Sequence, residues 1–161
     1  MRHALIWLWK YLRLPKSIQL FLTRMFQDEF LIGVTGIFFN KKNEILLFKH
    51  TYRTDAWSLP GGYVKAKEHP KEGLEREIEE ESGLFVSADN RLKIRTDRKT
   101  ARIEISYVGS FIGGEFKPSD EVSEAAFFSF DNLPLLPNDQ LIFIKRAIQN
   151  RRTSTINATY V

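Results

Sequence analysis

The chain has 161 residues, 43% of them apolar, with 13 phenylalanines and a formal net charge of +4. That suffices for one domain with a sizeable core, and the composition is globular rather than disordered. Cysteine is absent, which excludes disulfides, zinc–thiolate sites and thiol nucleophiles and makes a reducing, cytoplasmic location the expectation.

The charge is uneven. Met1 to Gln27 carries Arg2, Lys10, Arg13, Lys16 and Arg24 and no acid, and after Asp139 come Lys145, Arg146, Arg151 and Arg152, again without an acid. Basic ends suit an anionic partner or simply a solvated surface. Leu5, Leu8, Trp9 and Leu12 recur at helical spacing, Pro15 breaks the pattern, and Ile18, Phe21, Leu22, Met25 and Phe26 resume it. Two short amphipathic helices are therefore predicted before residue 28. Packing on the domain or on a second subunit, giving a homodimer, is their expected role. Peripheral contact with a membrane surface is the less favoured one. The run Ala4 to Trp9 is too short to span a bilayer and no small-residue cleavage site follows it, so it reads as neither signal peptide nor transmembrane helix.

Phe30 to Phe39 reads as a buried strand, Asn40 to Asn43 as a turn, and Ile45 to Lys49 as the strand pairing back. Trp57 to Pro60 is short and extended and ends at Gly61-Gly62. Pro70 to Ser82 reads as a helix, with Pro70 suited to its first turn and Gly83 to its stop. Leu92 to Thr96, Arg102 to Ile112 and Ala125 to Phe130 read as strands, and Asp139 to Asn150 as a closing helix. Without regular βαβ alternation, the class is α+β or a sandwich rather than a doubly wound sheet. The expected division is an N-terminal helical extension (1–27), one domain (28–150) and a loose tail (151–161).

Glu77, Glu80 and Glu81 stand at i, i+3 and i+4, so three carboxylates share one helical face. Alone, that pattern fits a solvated acidic face as well as a site for a hard divalent cation. The surroundings add constraints. Arg76 directly precedes Glu77, Glu68 lies eight residues before Arg76, Gly62 lies six before Glu68, and Gly83-Leu84 closes the helix.

The segment Gly62 to Leu84 resembles the Nudix box and matches every fixed position of its 23-residue pattern. The preceding Leu59-Pro60-Gly61 is also typical, and the order of elements extends the resemblance loosely from Phe30 to Ile148. The resemblance implies an α/β/α sandwich with a mixed sheet. It also implies metal-dependent hydrolysis of a phosphoanhydride in a nucleoside diphosphate linked to another moiety, or in a related nucleotide, with Mg²⁺ or Mn²⁺ as cofactor. Carried over by position, Glu77, Glu80 and Glu81 would bind the metal, with the Gly61 carbonyl as a further ligand. Arg76 would orient the glutamates, and Glu68 would support the helix entry or bind metal weakly. Asp120 to Glu124 resembles the acidic stretch that gives many relatives an extra carboxylate. Glu121, before Glu124, is the expected general base.

Candidate substrate contacts are His50 and Arg53 after the second strand, with Tyr52, and the basic loop of Arg98, Lys99 and Arg102. Trp57 reads as a core or rim aromatic, and His3 and His69 as non-ligands. The partner expected is a small nucleotide or nucleoside diphosphate derivative, and nucleic acid is not. Two rival readings share the fold: a nucleotide-sensing or partner-binding module without turnover, and an RNA-end (cap) pyrophosphohydrolase.

Overall fold

The computed structural model describes residues 15–52 and 57–159, with side chains described as far as residue 151. The chain divides into two compact units, Met1–Phe30 and Leu31–Val161. Of the two helices expected in the first unit, the one carrying Leu5 to Leu12 lies outside the described residues. The other is α1, Lys16–Phe26, an amphipathic helix that starts after Pro15 without a side-chain cap. It has no buried residue, and Ile18, Leu20, Phe21, Met25 and Phe26 are exposed.

The second unit contains β1 (Leu31–Phe39), β2 (Ile45–His50), β3 (Trp57–Ser58), β4 (Gly61–Tyr63), α2 (Pro70–Ser82), β5 (Leu84–Asp97), β6 (Arg102–Gly114), β7 (Val122–Phe128), a 3₁₀ turn (Phe130–Asn132) and α3 (Asn138–Thr159). Its seven strands form one sheet in the order β3-β2-β1-β6-β5, with β4 added to β1 and β7 to β2. β1 and β6 run parallel, whereas the other pairs are antiparallel. The sheet is therefore mixed, as the resemblance implied.

Both faces of the central strands are buried, which is why β1 and β2 read as continuous apolar runs. Val34 and Phe38 of β1 and Leu46 and Phe48 of β2 pack with Leu74 and Ile78 of α2. The alternate residues Ile37, Phe39, Ile45 and Leu47 pack with Phe143, Ile144 and Ala147 of α3. The two-residue period of a strand thus divides the core into two layers, one under each helix.

α2 is specified locally. His69 caps it, its ring nitrogen accepting from the Lys71 amide, while the Glu72 carboxylate accepts from the His69 amide and Pro70 fills the first turn. Gly83 ends it at φ 70°, a left-handed conformation that costs a glycine nothing, and its N–H donates to the Glu79 carbonyl. His69 therefore has a structural partner that spacing alone did not reveal.

Three elements differ from the sequence expectations. β5 begins at Leu84, not Leu92, because Leu84, Val86 and Ala88 already alternate inward. Irregularities at Phe85/Val86, Ala88/Asn90 and Arg91/Lys93 break that period, so the pattern looked like a loop. Gly61-Gly62 does not end a strand but forms β4 with Tyr63. The closing helix, expected to end at Asn150, continues to Thr159, consistent with the absence of proline and glycine after Asn150.

Candidate active site

The antiparallel pairing of β4 with β1 sets Gly62 opposite Val34 and Gly61 opposite Thr35. α2 then crosses this edge with Leu74 and Ile78 inward, which turns Glu77 and Glu81 toward β4. Gly62 meets Glu77 closely. A Cβ at Gly62 would lie 2.6 Å from the Glu77 carboxyl carbon, Cγ and Oε2. Gly62→Ala should therefore leave the backbone in place and push aside the Glu77 side chain. Activity is expected to fall by roughly 10–100-fold, the scale for disturbing a ligand's supporting contacts. The melting temperature should change little. A fall in melting temperature that tracks the loss of activity would overturn this account.

Arg76 organises the carboxylates. Its Nε and Nη2 donate to the two oxygens of Glu68 at 3.0 and 2.7 Å, a bidentate pair. Its Nη1 donates to Glu77 Oε1 at 2.7 Å and to Glu80 Oε2 at 2.8 Å. Nη2 also reaches the Tyr63 carbonyl at 3.2 Å, tying the cluster to β4. Glu68 additionally accepts from the Lys65 amide. These partners, Arg76 foremost, push the Glu68 carboxyl from 4.5 down to about 2. Lys65, and after it Arg76, holds Glu80 below the usual carboxylate range as well.

The Glu68 shift has a consequence for stability. A carboxyl depressed on folding contributes stability that is present above 4.5 and is lost as the pH falls toward about 2. Wild type and Glu68→Gln should therefore differ most at neutral pH, and their urea midpoints should converge between pH 4.5 and 2. A difference that stays constant across that range would rule out this linkage.

A cavity of about 270 Å³ opens beside this cluster. Glu77, Glu81, Gly61 and Gly62 line it on one side, and Glu121 joins them from the turn before β7. Backbone pairing places Glu121 there: the Thr51 amide donates to its carbonyl at 3.0 Å, and the Ser119 hydroxyl accepts from its amide at 3.3 Å. Glu124 does not line the cavity and instead pairs with Lys49 at 2.7 Å. Glu80 lies outside the lining, held by Arg76 and Lys65.

Buried His50 and exposed Tyr52 line the cavity, their rings 5.3 Å apart, and so does Arg102. Arg98 does not: it is exposed in the β5–β6 turn, where the hairpin carries it away. Arg53 lies outside the described residues. Trp57 packs edge-on against Phe128 at 4.9 Å, in keeping with a core or rim aromatic.

Sequence reasoning missed Arg95, Glu104 and Asp139, all of which line the cavity. Arg95 stands directly opposite Glu104 across β5 and β6, and Glu104 opposite Gly33 across β6 and β1. Only register reveals that proximity. The one signal available was a charged residue at alternate positions of otherwise apolar strands.

Among the described residues, no three His, Asp or Glu groups already converge as a metal cluster. The donor set nevertheless suits a hard cation. It consists of carboxylate oxygens and a backbone carbonyl, and Arg76 engages one oxygen of Glu77 and one of Glu80. Glu68, like Glu80, has both its oxygens engaged, by Arg76 and Lys65. Its geometry is that of support for the helix entry.

The family model for the NUDIX domain matches residues 29–149. An ADP-ribose pyrophosphatase of Methanocaldococcus jannaschii is 37% identical over 120 residues, covering 71% of this chain and 70% of that protein. The human 8-oxo-dGDP phosphatase NUDT18 is 28% identical over 127 residues, covering 74% of this chain. The chain spans only 39% of that relative's length. The crystal structure of an ADP-ribose pyrophosphatase from Streptococcus suis superposes with a TM-score of 0.61 at 28% identity, covering 75% of this chain and 92% of that one.

Proposed function

Since the chain belongs to the NUDIX family, and is by that membership a pyrophosphohydrolase acting on nucleotides, we propose that it cleaves the diphosphate of a nucleoside diphosphate joined to a second group, ADP-ribose being the first compound to test. The observation that carries this reading is the single cavity shared by Glu77, Glu81 and Glu121 beside Gly61 and Gly62. In this reading Glu77, Glu80 and Glu81, with the Gly61 carbonyl, hold Mg²⁺ or Mn²⁺. When bound, the cation offsets the charge of the diphosphate and acidifies water.

The protein's own groups do the rest. Glu121 accepts a proton from the attacking water. Arg76 touches no substrate and acts as a positioning residue, holding Glu77 and Glu80 at fixed distances. His50 and Arg102 contact the substrate from the cavity wall. Displacement at phosphorus needs orientation and charge stabilisation rather than a covalent nucleophile, which suits a chain without cysteine.

The test is turnover of ADP-ribose, nucleotide sugars, dinucleoside polyphosphates and nucleoside triphosphates with Mg²⁺ or Mn²⁺. Products are identified to locate the phosphorus attacked. Cleavage to two monophosphates from a diphosphate-linked substrate is the expected result. Tight binding with no hydrolysis across the panel would instead favour a sensing module.

A further inference from the structure

Two ion pairs contribute to the cavity wall. Arg95 on β5 places Nη1 3.3 Å from Asp139 Oδ2 in the first turn of α3. Its guanidinium carbon lies 5.9 Å from the centroid of the Phe143 ring. Arg102 on β6 places Nη2 3.2 Å from Glu104 Oε2, and Glu104 also accepts from the Thr35 hydroxyl at 2.5 Å. The Nε of each arginine is buried without a hydrogen-bond partner, so neither guanidinium is fully satisfied by its pair.

The Arg95–Asp139 contact explains little as a structural strut. It is a single contact between partly exposed side chains, a class that contributes little to stability. Its charge bookkeeping is more informative. On this wall each guanidinium is matched by one carboxylate, so the wall presents donors and acceptors but no surplus positive charge. A further phosphate calls for uncompensated cations. A neutral group with hydroxyls can both donate to carboxylates and accept from guanidiniums. Among the described residues, the remaining charged groups lining the cavity, Glu77, Glu81 and Glu121, are acidic. They add to the penalty for an extra phosphate that no cation covers.

We propose that Arg95 and Asp139 are specificity-determining residues that read the group joined to the diphosphate as neutral and hydroxyl-bearing, and that discriminate against an additional phosphate. This rests on the pyrophosphohydrolase reading of the cavity. The test compares ADP-ribose with ATP, with Mg²⁺ present, in wild type, Asp139→Asn and Arg95→Gln. Wild type should prefer ADP-ribose in kcat/KM. Asp139→Asn leaves Arg95 uncompensated and should lower that preference about tenfold, mainly through KM. Arg95→Gln leaves the carboxylate uncompensated and should raise it. The opposite signs separate charge reading from general damage, and both variants should melt close to wild type. If wild type hydrolyses neither compound, the same preference is measured as a ratio of Kd values by calorimetry, so failure of the reaction reading leaves this test standing. A ratio unchanged within about twofold in both variants, a shift of the same sign in both, or a wild-type preference for ATP would overturn the proposal.

Discussion

Glu81→Gln is expected to lower kcat/KM on the preferred substrate by on the order of 10²–10⁴, with the fold intact. The substitution keeps the side chain's size and removes its charge. An amide oxygen is a weaker ligand for a hard cation, and the amide nitrogen is not a ligand at all. Glu81 lines the cavity with Glu77 and Glu121. The Arg76 pairs that hold the helix entry are those with Glu68, Glu77 and Glu80. Removing the Glu81 charge should therefore leave the helix entry assembled, and the loss should appear without a change in circular dichroism. The apparent affinity for Mn²⁺, followed by titration, should fall alongside activity. Turnover within about twofold of wild type would remove Glu81 from the site.

The largest stability effect is expected at the same helix's inner face. Ile78→Ala should destabilise the domain by about 2–5 kcal/mol, the range for truncating a fully buried aliphatic side chain. Ile78 is 0% exposed and packs with Leu74, Val34, Phe38, Leu46 and Phe48. The loss combines transfer of methyl groups with a cavity that neighbours on two rigid strands cannot close. It should appear as a lower urea midpoint at an unchanged slope. Although Ile78 adjoins Glu77 on α2, its side chain faces the core, so activity at low temperature should survive while the domain is folded, and should be lost at a lower temperature than in wild type. A cost below about 1 kcal/mol would show that this layer of the core repacks freely.

These two expectations bracket how one 13-residue helix serves both fold and site. Its inner residues hold it to the sheet, and the amide of Ala88 on β5 donates to Glu75 at 2.8 Å, pinning it further. Its outer carboxylates would repel one another if left alone. Arg76 relieves that repulsion for Glu77 and Glu80, and with Glu68 it locks the preceding loop. The helix is thus positioned before any ligand arrives, so less ordering remains to be done on binding.

Much of the helix was legible before the fold was known. Caps act within four residues, and a 3.6-residue period puts positions three and four apart on one face. Pro70, Gly83, the inward Leu74 and Ile78, and the outward Glu77, Glu80 and Glu81 therefore follow from local sequence. The fixed distances to Glu68 and Gly62 carried the family resemblance. What each does was not local: Glu68 turned out to be engaged by Arg76 and Lys65, and Gly62 to be the floor against Glu77.

Other parts of the cavity wall were illegible for a different reason. Arg95, Glu104 and Asp139 come from separate elements, up to 62 positions from Glu77. Their convergence depends on strand order, on the register of β1, β6 and β5, and on where α3 begins. A one-residue slip in that register would turn Arg95 and Glu104 to the opposite face. By itself, then, the sequence determined one helix and its carboxylate face, because those rest on contacts within a few residues, while the class of reaction was implied by the resemblance to the Nudix box. The tertiary structure decided which carboxylates share the cavity with Glu121 and which other charges line it, because those rest on long-range pairing that no local spacing encodes.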